Sequence, residues 1–238
     1  MMKIGLVTCL EIPEADPDEE IQLEAIRQAG GEASLVPWDD SQIDLSRFDR
    51  LILRSCWDYP WRESEFREWL AAADGQTQLL NPLAVVKWNL HKGYLLDLAR
   101  AGVPVVPTRI LAAGRGSAAL DPILAEEQWC SEQWCSEQSP QIVIKPAVSA
   151  GSWLTARFGP DQLAAARSFI DQHGLDRDLL VQPYIRSVES GGERANVYIA
   201  GQWSHCVVKS PRFSGTQEQV GIAQPVLAED LELGEMAI

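Results

Sequence analysis

The hydrophobic pattern switches between two periods along this chain. The opening run "KIGLVTCL" is apolar throughout and reads as a buried strand. "PDEEIQLEAIRQAGG" follows with Ile21, Ala25, Ile26 and Ala29 at helical spacing, and Gly30-Gly31 marks its end. "EASLVPW" and "RFDRLILRS" read as two more strands, and "RESEFREWLAAA" as a second amphipathic helix. Strands alternating with helices predict an open α/β domain with a parallel sheet over residues 1–80. Such sheets place ligands beyond the carboxyl ends of their strands. Here that edge carries "RSCWDY", Arg54 to Tyr59.

Asn81-Pro82 marks a boundary, and residues 81–238 differ in kind. "NLHKGYLLDLARAG" predicts one capped helix, with Asn89 as the N-cap and Gly102 just past the end. "DQLAAARSFIDQHG" predicts another helix, and "DLLVQPYI" a strand. "ERANVYIAG" and "QWSHCVVKS" are strands joined by the turn Ala200-Gly201-Gln202. A hairpin implies an antiparallel sheet, so the second domain is α+β. The unit Glu-Gln-Trp-Cys-Ser occurs twice between 127 and 136. It reads as a local duplication that lengthens a helix or loop, with no function assigned.

Charge narrows the partners. The 34 acidic and 20 basic residues give a net charge of −14, which argues against nucleic acid or an anionic membrane. The five cysteines show no metal-ligand spacing, and no signal or membrane-spanning segment is visible. Reduced thiols and a cytoplasmic location are expected. His91 and His205 also lack metal spacing and read as structural. Trp57 and Trp61 read as core or domain-interface aromatics, unless a ligand reaches them.

Lysine occurs only at 3, 87, 92, 145 and 209. In "QIVIKPAVSAGSW" an apolar strand runs into Lys145, and the small residues Ser149-Ala150-Gly151-Ser152 follow. A lysine standing on a buried strand wants an anion. A small-residue loop beside it exposes backbone N–H groups that cradle phosphate oxygens.

Taken in order, Lys92, "VIKPAVSAGS", "VQPYI", "GGER" and "SHCVVKSP" resemble the ATP-grasp superfamily. With "RSCWDYPWR", "WNLHKGYLLDL" and "GVPVVPT", they look like its small ligases of the glutathione-synthetase type and the ligase group of cycloserine biosynthesis. The resemblance runs over roughly residues 50 to 215. It implies that antiparallel lobes clamp ATP, with Lys92 and Lys145 on the phosphates and Ser149, Ala150 and Gly151 closing over them. Gln182, Tyr184 and Ile185 would line the adenine pocket, partly through backbone. Lys209 would face the γ-phosphate, and Arg194, read as a loop residue, the substrate. Arg54, Trp57 and Asp58 would meet a small-molecule carboxylate. The implied chemistry is a ligase with ATP and Mg²⁺, in which the carboxylate becomes an acyl phosphate that an amine attacks.

The family also closes its site with late acidic residues and a Glu-x-Asn pair that hold Mg²⁺. No asparagine follows Asn196 here, and 29 residues remain after Lys209. No metal ligand is therefore assigned. "AEDLELGEMAI" reads as an exposed, frayed acidic helix, with Asp230 and Glu232 the one late pair at strand-like spacing. The expectation is an ATP-grasp domain truncated at its C-terminus. A hydrophobic face left uncovered would favour self-association, a homodimer in its simplest form. The alternative is a nucleotide-binding fragment or degenerate relative without catalysis.

Overall fold

The computed structural model describes residues 1–12, 16–125, 141–209 and 220–237. The duplicated Glu-Gln-Trp-Cys-Ser unit lies outside the described residues. The chain divides into two compact units, Met1–His91 and Lys92–Ile238.

The first unit contains β1 (Lys3–Thr8), α1 (Glu19–Gln28), β2 (Glu32–Pro37), β3 (Arg50–Ser55), α2 (Glu63–Asp74), β4 (Gln78–Leu80) and α3 (Leu83–Leu90). Its four strands run parallel in the order β2-β1-β3-β4, the open α/β architecture expected from the alternating pattern. Val7, Val36 and Leu51 from the strands pack with Phe66, Leu70 and Ala73 from α2, and with Val86 and Leu90 from α3. Burying a side chain of this size contributes about 1.5–3 kcal/mol. Because α3 joins this core, the unit extends past Asn81-Pro82.

The second unit contains α4 (Tyr94–Arg100), β5 (Arg109–Leu111), α5 (Leu120–Leu124), β6 (Ile142–Pro146), β7 (Ala156–Phe158), α6 (Leu163–His173), β8 (Leu179–Pro183) and α7 (Ser187–Gly191). The hairpin β9 (Glu193–Ile199) and β10 (Gln202–Lys209) follows, then β11 (Val220–Gln224) and α8 (Ala228–Ala237). Among the described residues its strands form two antiparallel sheets, in the orders β5-β8-β6-β7 and β11-β10-β9. Ala200 and Gly201 both have positive φ, 51° and 76°, as a tight hairpin turn with the twist of its strands requires. No helix among the described residues is long and apolar enough to cross a membrane.

Three readings need correction. "NLHKGYLLDLARAG" is not one helix: Asn89 lies inside α3, and a second helix begins at Tyr94. His91 is extended (φ −102°, ψ 119°), and the Lys92 N–H donates to Ala147 O at 2.8 Å rather than to a helix carbonyl. A tertiary hydrogen bond thus outweighs local helix propensity. Of the two roles read for Trp57 and Trp61, the core role is overturned, because they are 42% and 51% exposed. The parallel strand ends at Ser55, so they sit on a turn beyond the sheet. The core aromatics of this unit are Trp38 and Phe66. Finally, Asp230 in α8 is buried, so this helix is anchored rather than frayed.

Candidate active site

The two faces of β6 do different work. Ile142 and Ile144 pair with Phe158 and Ala156 on one side, and with Pro183 and Val181 on the other. With Leu111, Leu120 and Ile170 they belong to the core of the unit. Side chains alternate along a strand, so Val143 and Lys145 stand on the opposite face. Their cross-strand partners are Arg157 of β7 and Gln182 and Leu180 of β8. Among the described residues, Nζ of Lys145 makes no hydrogen bond. Burial holds its pKa below the usual lysine value, and the Glu193 carboxylate partly offsets this.

Lys92 reaches the same place from the turn between α3 and α4. Its Nζ donates to the Ser149 carbonyl at 2.5 Å and to the Ser149 hydroxyl at 3.0 Å. Burial, and then the charge of Lys145, lower its pKa to about 8. Two ammonium groups therefore lie near one another, and the Ser149 carbonyl and hydroxyl that Lys92 reaches are neutral. Such an arrangement favours a polyanion.

That loop joins β6 to β7. Ser149 is buried, and its hydroxyl donates to Pro146 O at 3.3 Å. Gly151, Ser152 and Leu154 all have positive φ, and Trp153 N donates to Ala150 O at 3.0 Å. The Trp153 ring lies under the Arg177 guanidinium, 5.2 Å from its centroid. The small residues at 149–151 leave the backbone as the surface an anion would meet.

At the end of β8, Gln182 is buried and its amide donates to Thr108 Oγ1 at 2.8 Å. Tyr184 N donates to Gln141 O at 2.8 Å, and its hydroxyl to Glu189 Oε1 at 2.7 Å. The carbonyl of Ile185 accepts from Val188 N at 3.3 Å. The stretch 182–185 is thus held as a fixed edge beside the Lys145 face.

The two residues expected to be catalytic separate. Lys209 ends β10 opposite Glu193, whereas Arg194 pairs with Val208. Adjacent positions point to opposite faces of a sheet, so Arg194 does not share a face with Lys209. Arg194 is on a strand, not a loop. It donates to Asp230 through Nε (3.1 Å) and through a terminal nitrogen (2.5 Å). Asn196 donates to the same carboxylate at 2.9 Å, and Tyr198 to the Asp230 carbonyl at 3.1 Å. Residues 194, 196 and 198 form one face, and α8 covers it. A methyl group at Gly234 would lie 1.7 Å from the Tyr198 hydroxyl, so only glycine lets the helix approach this closely. Asp230 is therefore a helix anchor and not a mimic of a metal ligand.

Glu193 escaped the sequence reading. Its carboxylate acts on both Lys145 and Tyr94. The period-2 pattern of "ERANVYI" could have separated it from Arg194.

In the first unit, Arg54 leaves the carboxyl end of β3 and pairs with Asp16 at 3.0 Å and Asp18 at 3.1 Å. Asp58 accepts from Trp38 Nε1 at 2.8 Å and from Arg62 at 3.2 Å. Arg62 also pairs with Asp39 and Glu65 and stacks on Trp38. Both charged candidates thus have partners inside the unit.

The low pKa of Lys92 makes a testable statement about stability. Its folded value of about 8 lies below the ordinary lysine value of 10.5, so between about pH 8 and 10.5 the unfolded chain binds more protons. Stability attributable to this site therefore rises with pH over that window. Comparing thermal melts of wild type and Lys92→Met at pH 7 and pH 10 isolates the effect. The difference is expected to shift toward the wild type at the higher pH, and a gap independent of pH would contradict the burial of this charge.

Comparison with known proteins identifies the family and the fold. Residues 4–81 match the family model "D-cycloserine synthetase DcsG, N-terminal domain". The cycloserine biosynthesis protein DcsG of Streptomyces lavendulae is 31% identical over 208 residues, which span 87% of this chain and 67% of that protein. The crystal structure of D-cycloserine synthetase DcsG superposes with a TM-score of 0.87 at 28% identity, covering 99% of this chain and 79% of that one. A RimK-domain ATP-grasp protein of Sphaerobacter thermophilus shares the fold, with a TM-score of 0.60 at 18% identity and coverage of 98% and 97%. The chain belongs to the family of the cycloserine biosynthesis protein DcsG, among the ATP-grasp ligases.

Proposed function

We propose that this chain binds ATP in its second unit and activates a small-molecule carboxylate for attack by an amine. The observation that carries the reading is the pair of buried ammonium groups, Lys92 held on the Ser149 loop by neutral acceptors and Lys145 beside it. Lys145 and Lys92 would bind the phosphates, and the backbone of Ser149, Ala150 and Gly151 would close over them. Gln182, Tyr184 and Ile185 would meet the adenine. Lys209 would offset charge at the γ-phosphate. In the first unit, Arg54, Trp57 and Asp58 would meet the substrate.

The reaction then has two steps. A carboxylate oxygen attacks the γ-phosphorus and ADP leaves. The amine nitrogen next attacks the acyl carbon, and inorganic phosphate leaves as the amide forms. The lysines position the phosphates and stabilise developing negative charge, and no side chain forms a covalent bond. Among the described residues no three His, Cys, Asp or Glu side chains converge to hold a metal ion. The described residues therefore offer no built Mg²⁺ site.

A second reading, nucleotide binding without turnover, draws on one observation. Arg194, the expected substrate contact, is committed to Asp230. Two measurements on the purified chain test both readings. ATP with Mg²⁺ is expected to raise the melting temperature, and small amino-acid carboxylates to stimulate phosphate release. A melting temperature unmoved by millimolar ATP would overturn both readings. Stabilisation with no phosphate release across an amino-acid panel would favour the second.

A further inference from the structure

Arg157 is a cation that no sequence motif singles out. It pairs with Val143 in the β6–β7 register, so it stands on the same face as Lys145, at the end nearer Tyr184. Its guanidinium lies over the Tyr184 ring, 4.6 Å from the centroid. It also donates to Glu189 Oε1 at 2.5 Å, the same oxygen that accepts from the Tyr184 hydroxyl at 2.7 Å. Glu189 belongs to α7, which follows the 182–185 stretch directly. A strand, the fixed edge and a helix thus meet at one carboxylate oxygen.

We propose that Arg157 and Glu189 are positioning residues for the base of the nucleotide: by clamping Tyr184 from above and at its hydroxyl, they pre-set the 182–185 edge that the adenine meets. This rests on the ATP-binding reading above. Clamping an aromatic ring in advance removes side-chain and backbone freedom that binding would otherwise have to restrict. The guanidinium contributes through its contact with the ring face. In this reading Lys145 and Lys92 serve the phosphates, and Arg157 and Glu189 act on the Tyr184 ring.

The test uses two probes, ATP and inorganic tripolyphosphate, with affinities measured by calorimetry on the whole chain. Arg157→Met is expected to weaken ATP by roughly tenfold, the scale of a lost cation–aromatic contact and its pre-organisation. It should leave tripolyphosphate unchanged. Glu189→Gln keeps the shape and removes the ion pair, so it should show the same split more weakly. Thermal melts of both variants report whether the fold survives. Unchanged ATP affinity in Arg157→Met overturns the proposal. An equal loss for both probes also overturns it, because the residue would then act on the phosphates or on the fold. A wild type that binds neither probe defeats the nucleotide reading itself, and this inference with it.

Discussion

Replacing Lys145 with alanine is expected to abolish detectable ATP binding while the chain stays folded. A hydrogen bond to a charged group is worth about 1.5–3 kcal/mol, and one so placed lowers affinity by about a hundredfold when lost. The fold should not suffer. The ammonium is desolvated by burial, and its pKa is lowered because the charged form is disfavoured there. Removing it takes away an unfavourable group, so at pH 7 the variant should melt at or above the wild-type temperature. Titration calorimetry with ATP and a thermal melt read the two halves separately. Wild-type ATP affinity in Lys145→Ala would remove the phosphate site from this strand. A large fall in melting temperature would show that the lysine is paired structurally.

Replacing Asp230 with alanine is expected to have the opposite profile, loosening the fold. This carboxylate accepts from Arg194, Asn196 and Leu227 N and is buried. Its removal leaves those donors without their acceptor and frees α8 from β9. The melting temperature should fall by several degrees, and amide exchange should accelerate across 228–237. The hydrogen bonds from Arg194 hold the carboxyl well below the ordinary aspartate value of 3.8. A depressed carboxylate stabilises above its unfolded pKa, and that stability is lost as pH falls below about 4. The deficit of Asp230→Asn relative to wild type should therefore shrink between pH 7 and pH 3. If exchange in α8 is unchanged in Asp230→Ala, the helix is held by something else.

These two residues show what separates a readable site from an unreadable one. The buried-strand position of Lys145 was legible because a charge interrupts an apolar strand and small residues follow, a conflict between burial and ionisation that shows in the letters alone. Asp230 was misread because its helix is acidic and nearly without an apolar stripe. Nothing local to "AEDLELGEMAI" shows that Arg194, Asn196 and Tyr198 converge on it from a strand some thirty positions earlier. Arg157 was invisible for a similar reason, since its neighbours Tyr184 and Glu189 lie on other elements.

By itself, the sequence determined the parallel sheet of the first unit, the hairpin of the second, the strand-end lysine and the excess of negative charge. Each follows from local periodicity, turn chemistry or composition, which act within a few residues. Only the tertiary structure decided that the predicted helix breaks at His91 between α3 and α4, that Lys92 meets Ser149, and that Arg194 and Lys209 face opposite ways. Those outcomes depend on hydrogen bonds between distant elements and on the parity of strand register, where a shift of one residue exchanges the two faces of a sheet.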